Sequence, residues 1–306
     1  MTTLKAKQPA PVIREKKKSI RTPGQIILMI VIAIFSLSCL LPFLNVAALS
    51  MSSKSAILRG DVSFWPVEFN VTAYQAIFAD KSMTRSLLFT VIITVVYTVF
   101  SMILTILMAY PLTKKRLKGR KFFSFLALFT MYFSGGTIPI YLNIKELGLL
   151  DTPWSLILPG MLSTYNMIIL KSFFQALPNE LEEAAIIDGA NDFKVLFDIY
   201  LPLSMASLAT LTLFYAVGKW NSFQDALYYI TTKAYQPLQL KLYHIIKGSQ
   251  AVDIAAMEGG TSAVASSVSE SIEPATIIFA TLPILVVYPF VQRYFVSGVT
   301  IGAVKG

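Results

Sequence analysis

Long apolar stretches separated by short polar ones form the hydrophobic pattern of this chain. Each stretch is close to the roughly 20 residues that an α-helix needs to cross a bilayer, and few charges interrupt it. The six stretches cover residues 26–49, 87–112, 122–142, 154–174, 205–226 and 275–295. The fifth carries Lys219 and Asp225, which are costly at depth unless they face water or a partner. The pattern predicts an all-α integral membrane protein with six transmembrane helices over 26–295.

A basic segment, residues 1–25, precedes the first apolar stretch and contains seven Lys and Arg residues. The stretch that follows is longer than the apolar region of a secretory signal peptide, which has roughly 7 to 15 residues. We therefore expect an uncleaved signal anchor. Cleavage near Val46, Ala47 and Ala48 is the alternative.

Composition and charge support a membrane protein. Hydrophobic residues make up 55% of the chain and charged residues only 14%, where about 25% is usual for a soluble domain. A net charge of +9 alone could indicate nucleic-acid binding. With the N-terminus inside, however, 17 Lys and Arg fall on the cytoplasmic side and 8 outside, leaving out Lys219 within its span. The positive-inside rule explains this distribution, so both termini are predicted to be cytoplasmic and no nucleic-acid partner is expected.

Few residues are available for catalysis. His244 is the only histidine and Cys39 the only cysteine, so a His-based triad, a Cys-rich metal site and an internal disulfide framework are disfavoured. No GxxxxGK[ST] phosphate loop is present, so the chain cannot bind ATP in that manner. We expect no catalytic residue, metal or bound cofactor, and any energy source must be a separate subunit.

Two predicted outer loops, residues 50–83 and 228–271, are long enough to act as docking surfaces. The first contains Trp65 and Pro66 and an amphipathic piece over 71–78, and the second becomes rich in Gly and Ser around 259–269. The alternative is that the second loop is flexible and has no partner.

One cytoplasmic stretch, residues 175–204, is acidic where basic residues are expected. Its only cation is Lys194, and its carboxylates are Glu180, Glu182, Glu183, Asp188, Asp192 and Asp198. Pro178 and the carboxylates after it predict a helix start, and Gly189 predicts its end. A second helix is expected from Asn191 or Asp192 to Pro202, because apolar residues recur at helical spacing. These residues are Phe193, Leu196, Phe197 and Tyr200.

The segment Glu183-Ala184-Ala185-Ile186-Ile187-Asp188-Gly189-Ala190, with Phe197, Ile199 and Leu201-Pro202-Leu203, resembles the EAA loop of ABC importer permeases. The chain is also similar over nearly its full length to carbohydrate-importer permeases of the maltose-permease-like, type I importer family. It is most similar to the multiple-sugar or lipoprotein-associated subgroup. That subgroup shares Tyr132-Phe133-Ser134-Gly135-Gly136, Leu147-Gly148-Leu149-Leu150-Asp151, Trp220-Asn221-Ser222 and the tail 298–306.

The resemblance implies a six-helix permease of a bacterial plasma membrane, with a cytoplasmic coupling helix and a short cytoplasmic tail over 296–306. It also implies a heterodimer with a second homologous permease, two ABC ATPase subunits that use ATP and Mg, and an extracellular substrate-binding lipoprotein. The imported solute would be a sugar or oligosaccharide. One departure is Ala206, where the family commonly has Pro. The fifth span is therefore expected to begin with less of a kink.

The acidic stretch also indicates a docking element on physical grounds. A short helix with small residues on one face can approach another protein closely, and its carboxylates can meet basic groups. The predicted ATPase-coupling residues are Glu183, Ala184, Ala185, Asp188, Gly189, Ala190, Phe197 and Pro202. A solvated acidic loop without a partner is the alternative.

Polar and aromatic residues within the spans suit a sugar pathway, because rings stack on apolar sugar faces and amides bond hydroxyls. The candidates are Tyr132, Ser134, Thr137, Tyr165, Asn166, Trp220, Asn221 and Asp225. Tyr and Trp are also common as interfacial anchors, which is the alternative for the aromatic residues. Other functions left open are a permease for a non-sugar solute and a stand-alone secondary transporter. A membrane-embedded enzyme lacks the clustered acid, base or metal-ligand residues that it would need.

Overall fold

A computed structural model describes residues 23–257 and 271–289 of the chain. Within these ranges the regular structure is helical and no β-strand is present. The helices are α1 (Pro23–Ser50), α2 (Lys54–Arg59), α3 (Thr72–Ala79), α4 (Lys81–Ala109), α5 (Arg120–Tyr132), α6 (Thr137–Glu146), α7 (Trp154–Ile157), α8 (Thr164–Gln175), α9 (Asn179–Ile187), α10 (Asp192–Val195), α11 (Leu201–Leu203), α12 (Met205–Trp220), α13 (Gln224–Tyr229), α14 (Leu238–Met257) and α15 (Ser271–Pro289).

Three helices are long and apolar enough to cross a bilayer without interruption. They are α1, α4 with the short 3₁₀ turn Pro111–Thr113 that follows it, and α15. These match the first, second and sixth predicted spans. Helix α4 begins before residue 87 because Asp80 caps it, its side chain accepting a hydrogen bond of 2.8 Å from the Ser82 N–H. The predicted tails over 1–22 and 296–306, the Gly- and Ser-rich part of the second predicted outer loop around 259–269, and residues 290–295 of the sixth predicted span lie outside the described residues.

The other three predicted spans are not continuous helices, which corrects the prediction. The third is divided into α5 and α6, bent by 113°, because Gly136 takes a φ of +84° between them. The fourth is divided into α7 and α8 by a segment in which Gly160 has a φ of +74° and Ser163 caps the second helix. The fifth ends at Trp220 and helix resumes at Gln224. If each of two bent helix pairs counts as one span, the described residues hold up to five, so six crossings stay a prediction.

The largest buried cluster lies where α4 packs against α8 and α12. The buried face of α4 carries hydroxyls as well as aliphatic groups, and small polar residues allow helices to approach closely in a membrane. Thr105 and Tyr215 join α4 to α12 through a hydroxyl pair at 2.7 Å. The same Tyr215 hydroxyl accepts a 3.1 Å hydrogen bond from the N–H of Ser163, at the start of α8. One buried network therefore fixes three helices relative to one another.

A second cluster joins α3, α4, α12, α14 and α15. The Trp220 indole N–H donates to the carbonyl of Ala280 in α15 at 3.2 Å. The N–H of Leu238, the first residue of α14, donates to the buried Thr90 hydroxyl of α4 at 2.8 Å. Helix α1, by contrast, is exposed from Pro23 through Leu44, and no other described segment packs against it there.

The loop after α6 is held by a carboxylate. Asp151 has a φ of +56° and accepts hydrogen bonds from the N–H groups of Thr231 at 2.9 Å and Thr232 at 2.8 Å. The Thr232 hydroxyl donates to its second oxygen at 2.6 Å. These bonds, first of all those from Thr232, lower the pKa of Asp151 to about 2, so the exposed carboxylate stays ionised and holds two predicted outer segments together.

Candidate coupling site

Helix α9 forms and ends as the sequence predicts. Pro178 precedes its first residue, and Glu180 and Glu182 lie in the first turn, where the helix dipole favours negative charge. At its end, Gly189 takes a φ of +81°. The N–H of Ala190 reaches back to the carbonyl of Ala185 at 2.9 Å, and the N–H of Gly189 to that of Ile186 at 3.0 Å. This is the Schellman arrangement, which needs a left-handed residue after the helix.

Helix α10 also begins where predicted, at Asp192, because the side-chain oxygen of Asn191 accepts from the Lys194 N–H at 2.8 Å. The segment then passes through a π-helical turn, Leu196–Tyr200, and the short α11 before it breaks at Ser204. The axis bends by 83° between Asp192–Leu203 and α12. The predicted stop near Pro202 is confirmed. The smaller kink expected from Ala206 is wrong, because the 83° bend falls at Ser204, directly before α12.

The predicted apolar face of this second helix is divided, which corrects the prediction. Leu196 and Tyr200 are buried, whereas Phe193 and Phe197 are 66% and 60% exposed. The π-helical turn interrupts the 3.6-residue period on which the prediction of a single face depended. Two phenylalanine rings therefore stand free on the surface beside α9.

The small residues of α9 are divided in the same way. Ala185 and Ala190 are half-buried and pack against the chain's own largest core cluster, so they do not form an outward face. Ile187 is 85% exposed. Within residues 183–190, the other exposed residues are Glu183, Ala184, Ile186, Asp188 and Gly189. The exposed surface of residues 183–189 thus combines aliphatic side chains with two carboxylates, and we call it, together with Phe193 and Phe197, the coupling face.

An ion pair behind the coupling face was not predicted from the sequence. Lys114 Nζ lies 2.7 Å from Glu182 Oε2, with side chains only 9% and 19% exposed. The Tyr200 hydroxyl donates to the same oxygen at 2.6 Å. Burial would raise the pKa of Glu182, but the contacts with Lys114 and Tyr200 lower it below its usual value, so the carboxylate stays charged. Burial, followed by the bond to Glu182, raises the pKa of Tyr200.

Aromatic rings enclose this ion pair. The Lys114 ammonium lies 4.1 Å from the ring centroid of Tyr110 and 4.3 Å from that of Tyr200, both within cation–π range. The Tyr110 hydroxyl donates to the carbonyl of Asp192 at 3.0 Å, and Arg116 forms an ion pair with the Asp192 carboxylate. The turn after α4 is therefore joined to both α9 and α10. The only signal in the sequence was that a basic run over 114–121 and the acidic stretch were predicted on the same side of the membrane.

The predicted pathway residues are spread over several elements. Tyr132 ends α5, Tyr165 lies in the first turn of α8, and both are exposed. Asn166 is buried beside Tyr165. Ser134 and Thr137 are exposed at the α5–α6 break, where the Ser134 hydroxyl accepts from the Gly136 N–H at 3.2 Å.

The remaining candidates lie at the break between α12 and α13. Trp220 is buried and its indole is bonded within the chain, while the Asn221 amide donates to the carbonyl of Val217 at 3.0 Å. The break also brings Lys219 to 3.5 Å from Asp225, although six positions separate them in sequence. Among the residues that the structure describes, no group of three or more His, Cys, Asp or Glu could hold a metal ion.

The chain has apolar helices of spanning length around a core, and a helix, a Gly turn and a second helix beside that core. This is the architecture of a polytopic α-helical membrane protein. The family model described as "Binding-protein-dependent transport system inner membrane component" matches residues 71–299, three quarters of the chain. The chain therefore belongs to this family of ABC importer permeases, and its fold is that of a type I importer permease.

Two relatives from Bacillus subtilis support the assignment. The chain is 43% identical over 275 residues to the polygalacturonan/rhamnogalacturonan transport system permease protein YtcP, covering 89% of this chain and 94% of that protein. It is 45% identical over 267 residues to protein LplC, covering 87% and 90%.

One solved structure is similar over nearly the whole length. It belongs to a bacterial ABC transporter involved in the import of the acidic polysaccharide alginate. The match has a TM-score of 0.79 at 32% identity and covers 89% of this chain and 96% of that chain.

Proposed function

We propose that this chain is one of two homologous permease subunits of a carbohydrate importer in a bacterial plasma membrane, with both termini in the cytoplasm. An extracellular binding lipoprotein delivers the oligosaccharide, and two ABC ATPases that use ATP and Mg drive transport through the coupling face. The observation that carries this proposal is the exposed apolar and acidic surface of α9 and α10, in a chain that is similar to sugar-importer permeases over nearly its full length.

The names of the similar proteins support an oligosaccharide from an acidic polysaccharide as the solute. YtcP is named for polygalacturonan and rhamnogalacturonan, and the similar solved transporter imports alginate. All three polymers contain sugar acids. Tyr132 and Tyr165 expose the aromatic surface that a sugar ring can stack on, with Asn166, Asn221 and Asp225 as polar candidates. A permease for a non-sugar solute is the alternative.

The predicted outer loop before α4 offers a surface for the binding lipoprotein. Phe64, Trp65 and Phe69 are exposed there. The loop is held in shape by Glu68, which forms an ion pair with Arg59 at 2.8 Å and accepts hydrogen bonds from the hydroxyls of Ser53 and Ser55. Exposed aromatic residues on an ordered loop are typical of protein contact surfaces.

The coupling face has features suited to gripping another protein. Exposed aliphatic and aromatic side chains give apolar area to bury, and Glu183 and Asp188 can meet basic groups at its edge. Gly189 and Pro202 set the turn and the end of the segment, and Ala185 and Ala190 seat it on the core. The ATPase therefore contacts Glu183, Ala184, Asp188 and Phe197 directly, while the other predicted coupling residues shape the surface.

Capture of the partner subunits tests this function. The amount of ATPase that copurifies with a tagged Ile187→Asp chain should be at least roughly tenfold lower than with the wild-type chain. The substitution replaces an exposed apolar contact by a charge among carboxylates. The second permease should remain bound. Immunoblotting of the complex extracted in mild detergent measures both.

The matched control is Leu147→Asp, an exposed aliphatic side chain, 63% accessible, on the opposite predicted side of the membrane. This variant should keep its ATPase. If wild type itself brings down neither an ATPase nor a second permease, the importer proposal fails and a solitary secondary transporter is favoured instead.

A further inference from the structure

We propose that Lys114, Glu182 and Tyr200 form a clamp that joins α9 and α10 to the cytoplasmic end of α4, so that displacement of the coupling face moves α4 first. We call these three residues the clamp. They are positioning residues and do not themselves contact the ATPase. The inference rests on the proposed function, because it takes the coupling face to be the surface that the ATPase moves.

The clamp is polar and largely buried, so separating its charged groups is unfavourable. The Lys114 ammonium lies 2.7 Å from the Glu182 carboxylate, and the Tyr200 hydroxyl donates to the same carboxylate oxygen at 2.6 Å. Two aromatic rings also pack against the ammonium. Separating such groups would leave a charge buried without a partner, which is strongly unfavourable. The exposed ion pair between Arg59 and Glu68 has no such constraint, because water can replace either partner.

Aromatic packing extends the clamp into the bundle. Tyr110, at the end of α4, meets Tyr200 edge-on with ring centroids 5.1 Å apart. Both rings also meet Phe174 of α8 edge-on, at 6.4 Å and 5.4 Å. Tyr110, Phe174 and Tyr200 are all buried, so the turn after α4, the end of α8 and the π-helical turn form one packed body.

The covalent route from α10 to α12 is weaker than the route through the clamp. Between them lie the π-helical turn, Pro202 and the break at Ser204, across which the axis bends by 83°. A bent, interrupted segment transmits a push less directly than a continuous rod. Helix α4 runs without a break from Lys81 to Ala109 and packs along α12. A push on α9 therefore reaches α4 through the clamp, and α12 follows because it packs against α4.

The side chains of α9 are arranged accordingly. Glu182 belongs to the clamp and Ala185 packs against the core. Glu183, Ile186 and Ile187 face outward. One short helix thus carries the surface that contacts the ATPase on one side and the connection to α4 on the other.

The test measures movement of α4 in the assembled importer, with ATP and orthovanadate as the probes. A thiol is introduced as Leu107→Cys, at an exposed position near the end of α4, in a Cys39→Ser background. Its rate of labelling is compared with and without ATP and orthovanadate. We expect a change of at least about fivefold in the otherwise wild-type complex, in the range typical of coupled sites.

Lys114→Met and Glu182→Gln should each reduce that change to less than about twofold while the ATPase stays bound and continues to hydrolyse ATP. The double variant should be no worse than either single variant, because all three lose the same contact. Lys115→Met, at an exposed neighbouring cation, is the matched control and should respond as wild type. A normal response in Lys114→Met or Glu182→Gln would overturn the proposal.

A covalent clamp keeps the proposal testable if those variants assemble poorly. Lys114→Cys and Glu182→Cys, in the same Cys39→Ser background, are joined by a short bifunctional thiol reagent. If the two segments move as one body, the cross-linked importer takes up oligogalacturonides at the wild-type rate. If the cross-link stops uptake, the contact must open during transport and the proposal is wrong. Failure of wild type to bind an ATPase would instead count against the proposed function. An assembled complex that hydrolyses ATP but shows no change in labelling of Leu107→Cys would overturn the clamp proposal.

Discussion

At the scale of single residues, Gly189 is the position where the backbone alone decides what is allowed. Its φ of +81° is in the left-handed region, and a Cβ added there would meet no atom within 4 Å. Any cost of substitution therefore comes from conformation and not from a clash. Val is among the residues that adopt this region least readily, whereas Asn tolerates it.

We expect Gly189→Val to leave membrane insertion unchanged and to abolish ATP-driven uptake, because a penalty of roughly 1–2 kcal/mol would shift the turn after α9. Gly189→Asn is the control and should retain most uptake. Uptake into cells of the oligosaccharide that the wild-type importer transports, normalised to the amount of chain in the membrane, measures both variants. Equal uptake by the Val variant and wild type would show that the turn does not need its left-handed conformation.

Local rules account for what the sequence predicts correctly in this region. Pro178 at the helix start, Gly189 at its end and Asn191 as the next cap each act within a few residues, so their effect can be read from spacing. The contact between Lys114 and Glu182 spans 68 positions, and nothing in the spacing of either residue indicates it. Only the fold brings the basic and acidic runs together.

At the scale of elements, the break between α5 and α6 depends on Gly136 more than on its neighbour Gly135. Gly136 has a φ of +84° and a ψ of 173°, a combination that is essentially confined to glycine. Gly135 has no positive φ, and a Cβ added to it would lie 3.6 Å from Pro139, an ordinary contact. The two adjacent glycines therefore form a matched pair.

We expect Gly136→Ala to destabilise the protein by roughly 1–3 kcal/mol and Gly135→Ala to have little effect. The reason is backbone strain, since a Cβ at Gly136 would meet no atom within 4 Å. Thermal unfolding in detergent, monitored by circular dichroism, distinguishes the two variants. The same loss of stability in both would mean that packing and not backbone conformation decides the cost.

Hydropathy predicts a continuous span where it meets no breaker, as in α4. It fails for the third, fourth and fifth predicted spans because glycines, capping residues and small polar residues lower the mean hydropathy very little. Their effect is on backbone geometry, which a hydrophobic average does not record. The breaks occur at the glycine pair 135–136 and at Ser163, residues whose effect on the backbone a hydropathy average does not register.

At the scale of the whole molecule, the coupling face and the Asp151 loop are predicted to lie on opposite sides of the membrane. The distribution of Lys and Arg along the chain supports this orientation. Ile187 and Leu147, one on each side, are both exposed aliphatic residues, at 85% and 63%. They are therefore comparable positions for a chemical probe.

In a Cys39→Ser background, Leu147→Cys should react with a membrane-impermeant thiol reagent in intact cells. Ile187→Cys, in cells that make the chain without its ATPase, should react only after the cells are made permeable, because its side chain is expected to face the cytoplasm. Labelling yields measured by mass spectrometry give the result. Reaction of Ile187→Cys in intact cells would reverse the topology and exclude contact with an ATPase.

The break at Ser204 has a consequence for how such proteins can change over time. It separates the residues that would meet the motor from α12, whose far end carries the candidate solute-facing positions. Substitutions that alter sugar selectivity can accumulate in α12, beyond this break, without changing the surface that the ATPase would contact. Selectivity and energy supply are thus free to evolve at different rates within one polypeptide.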